Sequence, residues 1–122
     1  GIYTQGNTAV VPIFRDWLAP FSSFGATKVA TALTDSTDHV FFDVVGIPAF
    51  QFIQDPLDYA STVHHTDVDT FDHLKPEDMR QGAIILAAFL INAANTSDPL
   101  PRVPLATQPK TLSEFYPAPG AK

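Results

Sequence analysis

Apolar residues recur at helical spacing early in the chain. Val10, Phe14, Trp17, Leu18 and Phe21 form one face of a helix predicted from Asn7 to Phe21. Asn7 or Thr8 can cap it by accepting a bond from an orphan N–H. Pro12 falls in the first turn, where a missing N–H costs little, and Pro20 marks the end. Ser22 to Gly25 reads as a turn, and Gly1 to Gly6 as a polar, uncharged opening with no element of its own.

The pattern then shortens. Thr27 to Leu33 is rich in β-branched residues and bounded by Gly25 and Asp35, which predicts a strand. Ser36 or Thr37 caps a short helix running through Val45, and Gly46 suits the left-handed position just past its end. Ile47 to Ile53 predicts the best strand of the chain. Its apolar residues occupy both parities, which suits burial on both faces. Asp55 to Leu74 is a long polar loop, of the kind that is functional or disordered.

Pro76 at the first helical position, followed by Glu77 and Asp78, opens a last helix predicted from Pro76 to Ala94. Its Ala83 to Ile91 run is apolar nearly all round, so packing on most sides is expected. Six of the 11 prolines fall between Pro99 and Pro119. The expected organisation is therefore an α/β segment over 1–96 and a Pro-rich extended tail over 97–122, draped over a partner domain. The order helix, strand, helix, strand, loop, helix is an α/β layer. Two strands make a poor sheet alone, so a larger mixed or parallel sheet is expected.

Composition narrows the function. The chain has 122 residues, 45% hydrophobic and 16% charged, which is globular rather than disordered composition. Seven Lys and Arg stand against 13 Asp and Glu, for a net charge of −6. That balance argues against sequence-independent nucleic-acid binding, which needs cations to displace counterions. The absence of cysteine excludes disulfides, iron–sulfur clusters and thiol nucleophiles. There is no GxSxG nucleophile elbow and no phosphate-binding glycine loop.

Two stretches carry candidate chemistry. The first runs from Thr62 to His73 and holds three of the four histidines, with Asp67, Asp69 and Asp72. Imidazole and carboxylate are the natural zinc ligands where Cys is absent. The same composition also describes a solvated polar loop, and no single zinc template fits the spacing. The second is Ser36-Thr37-Asp38-His39. It reads either as an N-cap with acidic charge at the positive end of a helix, or as a site at the C-terminal edge of a sheet.

Four motifs in order carry a family resemblance: Ser36-Thr37-Asp38-His39, Val44-Val45-Gly46-Ile47-Pro48-Ala49, His65-Thr66-Asp67-Val68-Asp69-Thr70 and Leu74-Lys75-Pro76-Glu77. Over Gly1 to Pro101 the chain resembles the C-terminal part of the metallopeptidase family 28 zinc exopeptidases. That family includes bacterial aminopeptidases, plasma glutamate carboxypeptidase and glutaminyl cyclases. Its pattern reads SDH, AGIPA, HTxxDT and L-x-P-E; here the first motif is STDH, so Thr37 is a departure.

The resemblance implies a three-layer αβα fold with a two-zinc site, in which a metal-activated water attacks the peptide carbonyl. It makes His65 a metal ligand. It places His64 beside the ligand, holding the substrate carbonyl or oxyanion, where many members carry Tyr. It puts Asp38 in a hydrogen-bond network beside the general base, His39 among the residues that support the site or the substrate, and Asp69 in support of the ligand or the loop. The family's other ligands and its general-base Glu lie before this part of the chain. The expected protein is thus a C-terminal fragment of a zinc-dependent exopeptidase, an aminopeptidase acting on a peptide substrate and exported in a bacterium. The fragment alone is expected to be inactive, to bind zinc weakly, and to meet the remainder of its catalytic domain or a second copy. The other reading is a non-catalytic binding or receptor-type domain of the same fold.

Overall fold

The residues read as a featureless opening form the central strand. The computed structural model describes residues 1–104. In it Ile2–Tyr3 (β1) pairs in parallel with Val29–Ala30 (β2) and antiparallel with Gln51–Phe52 (β3), giving a three-stranded sheet in the order β2-β1-β3. The reading of Gly1 to Gly6 is corrected: Ile2 is 1% exposed, and a two-residue ladder is too short to leave an alternating pattern. Backbone bonds lengthen the parallel seam on both sides, from Ile2 N to Lys28 O, Thr4 N to Ala30 O and Gly6 N to Thr31 O.

The first helix is shorter at its core than predicted. A 3-10 turn over Thr8–Val10 leads into Val11–Leu18 (α1), and a second 3-10 stretch, Ala19–Phe24, ends at Gly25. Asn7 is the cap, its side chain accepting from Ala9 N at 3.2 Å. The short helix is His39–Asp43 (α2), and Gly46 sits beyond it at φ 80, donating to Asp43 O. The N-cap of α2 is Asp38 rather than Ser36 or Thr37, and it makes no side-chain cap bond. Ser36 Oγ donates to Asp35 Oδ1, and Thr37 turns its hydroxyl to the His39 ring.

The last helix, Pro76–Asn95 (α3), has the predicted bounds to within a residue, with Pro at its start. It packs with α1 on the sheet face that carries Ile2, Val29 and Phe52. The core is Ile2, Val10, Phe14, Leu18, Ala26, Ile85 and Phe89. Five aromatic rings knit it: Phe89 lies 5.4 Å from Phe14, 5.3 Å from Trp17 and 5.1 Å from Phe52, and Phe14 meets Phe50 edge-on at 4.8 Å. Such tilted and edge-on pairs suit the ring quadrupoles.

Two expectations about burial are corrected. β3 is an edge strand with half-buried residues, because β1 pairs with it on one side and nothing pairs on its other side among the described residues. Within α3 only Ile85 and Phe89 are buried, while Leu90 and Ile91 are 63% and 61% exposed. The helix uses one stripe on this core and leaves its other apolar side open. The tail begins on the domain rather than away from it. Leu100 packs against the core, Asn7 Nδ2 donates to Pro101 O at 2.7 Å, and Arg102 reaches Gly46 O. The rest of the expected tail lies outside the described residues.

Candidate functional site

Two polar centres stand out, and they differ in kind. The first lies past the C-terminal ends of β1 and β2. Gln5 is 3% exposed, and its side chain pairs with the Thr34 backbone like a strand neighbour. Its Oε1 accepts from Thr34 N at 2.8 Å, and its Nε2 donates to Thr34 O at 2.8 Å. Those two bonds fix which end of the amide is which. Nε2 therefore also donates to His39 Nε2, 2.9 Å away. With Nε2 accepting, His39 carries its proton on Nδ1 and donates it to Thr37 Oγ1.

His39, 8% exposed, is thus a buried hinge pin between the sheet edge and α2. Asp43, on the same helix and also buried, has its carboxyl pushed above the ordinary value by burial, with His39 pulling the other way. Asp38 is exposed and makes no side-chain hydrogen bond among the described residues. The STDH motif therefore splits, with His39 inside the fold and Asp38 at its surface.

The second centre is the corner at His64 and His65. Asp58 starts it: its carbonyl accepts from Thr62 N at 2.9 Å and Val63 N at 3.3 Å, closing one wide helical turn over Tyr59–Val63. The chain then reverses. Thr66 N donates to Val63 O at 3.0 Å, His64 has φ −52 and ψ 117, and His65 has φ 60. This is a type II turn with His65 at the position that favours glycine. The two imidazoles stack with centroids 3.8 Å apart, and Tyr59 lies 4.8 Å from His64. Both histidines are exposed, and no described residue hydrogen-bonds to either ring.

Further along, Thr70 Oγ1 donates to Asp72 Oδ1 at 2.6 Å, a bond that holds the Asp72 carboxyl below its ordinary value. His73 Nδ1 donates to Asp58 Oδ2 at 2.7 Å. That bond likewise lowers Asp58. Asp69 is exposed, with its backbone N on Thr66 O at 3.4 Å. Asp58, Gln5 and Thr34 are residues that sequence reasoning missed. A pair fifteen positions apart, or an amide mimicking a strand, leaves no mark in spacing.

Chemically, the corner offers imidazole nitrogen to solvent from a turn held in one shape. No group of three His, Asp or Glu residues converges to hold a metal ion among the described residues. His65 therefore fits zinc as one donor of a larger set, and this chain's described residues do not complete that set. No helix among them is long and apolar enough to cross a membrane. Comparison with protein-family models, with curated proteins and with solved structures finds no significant match.

Proposed function

We propose that this chain is part of a zinc-dependent exopeptidase of aminopeptidase type, with His65 as one metal ligand and His64 beside the substrate. The observation that carries the reading is the strained, exposed imidazole of His65. A non-glycine residue at φ 60 costs on the order of 1 kcal/mol or more. His65 spends that energy at a turn position where glycine is free, and its ring stabilises nothing by hydrogen bonding among the described residues. A residue kept in such a place is explained by what its ring does for a ligand. The order of the four motifs around it supports the same reading.

In this reading the sheet and helices are one flank of a three-layer αβα domain. The other ligands and the general-base Glu come from outside the described residues. Bound zinc would supply polarisation of the peptide carbonyl and an acidified water. His65 must present a neutral ring to bind it. His39 holds α2 at the sheet edge, Asp38 belongs to the hydrogen-bond network beside the general base, and Asp69 supports the loop or the ligand. Export to the periplasm or beyond belongs to the same proposal.

The test uses the full-length polypeptide and aminoacyl anilides. Turnover should vanish with a chelator, return with zinc, and fall at least 100-fold in His65→Ala, given that losing even a supporting residue around a metal costs ~10–100-fold. Chelator-insensitive turnover, or an unaffected His65→Ala enzyme, would overturn it. Metal-independent peptide binding without turnover would favour the receptor-type reading.

A further inference from the structure

We infer that Asp58, acting through His73, is the positioning residue of the His64–His65 corner; the inference rests on the zinc-ligand reading of His65. Asp58 is used twice. Its backbone carbonyl closes the wide turn that delivers Val63 and the two histidines. Its carboxylate spans the neck of the loop to His73, just before α3 begins at Pro76. One residue thus sets both the start of the corner and the distance between the loop's two ends.

The loop has few other anchors. Between Tyr59 and Leu74, Val63 is the one buried residue. The remaining backbone bonds are short-range: His64 to Tyr59, Thr66 to Val63, Asp69 to Thr66, Thr70 to Val68, His73 to Thr70 and Leu74 to Phe71. Bonds of that range make turns but do not fix where the turns stand. A residue in the left-handed region persists when its surroundings over-determine it. Here the over-determination comes from Val63 on one side and the Asp58–His73 pair on the other. An imidazole presented to a metal must stay within a few tenths of an ångström of its place, so the pair decides how well His65 serves as a donor.

The pairing chemistry suits the task. The neck bond is charge-assisted on the carboxylate side, and its two side chains are 26% and 42% exposed, so it is neither deeply buried nor free in solvent. It joins Nδ1 of His73 to Oδ2 of Asp58 at 2.7 Å. None of this involves the rings of His64 and His65, so the pair can be broken without touching the donors.

The experiment is zinc titration of the 122-residue chain followed by NMR of the four histidine rings, with amide hydrogen exchange over 59–72. Zinc should shift the His65 and His64 signals. In Asp58→Asn and His73→Gln the midpoint should move about tenfold to higher zinc. His73→Arg, which keeps a charged donor for Asp58, should restore it. The His39 signal and the α3 amides should stay unchanged throughout. Unaltered midpoints and unaltered loop exchange in both variants would overturn the inference. So would a loss of protection that includes α3, since the pair would then be holding the fold rather than the corner. If zinc leaves His65 unshifted in the unmodified chain, the zinc reading fails by itself. The positioning role then stands if exchange rises within 59–72 alone, and falls if it does not.

Discussion

Gln5 Nε2 and His39 Nε2 meet at 2.9 Å across thirty-four residues of chain, in a site where both side chains are buried. Gln5 itself sits at φ 49, an unusual backbone state for a non-glycine residue, and its four side-chain bonds to Thr34 and His39 hold it there. Removing either partner leaves a buried polar group unpaired. Gln5→Leu and His39→Leu should each cost about 1–3 kcal/mol in urea denaturation. The double variant should cost less than the sum, because both lose the same bond. Strictly additive effects would mean the two side chains stabilise the fold independently.

Adjacent residues on α3 should behave in opposite ways. Phe89 touches Phe14, Trp17 and Phe52, so Phe89→Ala should cost about 3–5 kcal/mol. Leu90 is 63% exposed, and Leu90→Ala should fall within about 1 kcal/mol of the parent chain. Thermal unfolding of the two variants decides it. A large loss at Leu90 would show that its side of α3 is covered in solution.

His65→Gly should raise stability by about 0.5–1 kcal/mol, the strain released less the extra chain entropy of glycine. The same change should abolish the zinc-induced shift at the corner. Stability gained while the ligand signal is lost is the pattern expected of a residue retained for its ring. A destabilised His65→Gly chain would mean that the imidazole contributes to packing.

Asp43 and Asp58, two of the three shifted carboxyls, should pull stability in opposite directions with pH. Asp43 is raised above its ordinary value of 3.8, so the native state holds that proton more tightly than the unfolded chain. Its contribution therefore falls as pH rises from 3.8 through the raised native value. Asp58 is lowered by His73, so its contribution is present above 3.8 and is lost as pH falls through the lowered native value. Urea midpoints between about pH 2 and 7 should lose the upper slope in Asp43→Asn and show a weaker lower one in Asp58→Asn, where Asp72 still contributes. An Asp43→Asn chain with the parent's full upper slope would contradict the burial of that carboxyl.

What the sequence revealed depended on length of repeat. α1 and α3 were legible because apolar spacing persists over several turns and because Pro12 and Pro76 mark their starts. Gly46 was legible because a helix end needs a left-handed residue and glycine takes it without strain. The strands were poorly legible, since each contributes two ladder residues, and β1 lies among Gly, Thr and Gln. The corner was half legible. His64 and His65 are visible as residues, but the type II turn is hidden because its glycine position holds histidine. The Asp58–His73 pair was hidden because nothing local joins those two positions.

The placement of β1 bears on how the chain is made. Its parallel neighbour lies twenty-seven residues later, its antiparallel neighbour about fifty residues later, and the helix that seals its buried face later still. At a synthesis rate of about 5–20 residues per second, β2 and β3 follow β1 out of the ribosome by seconds. Until then Ile2 lacks the two strand partners it has in the folded sheet. The sheet can close around it only after Phe52 has emerged, and the aromatic core only after Phe89. Closure of this core therefore comes late in the synthesis of residues 1–104, once Phe89 has joined Ile2.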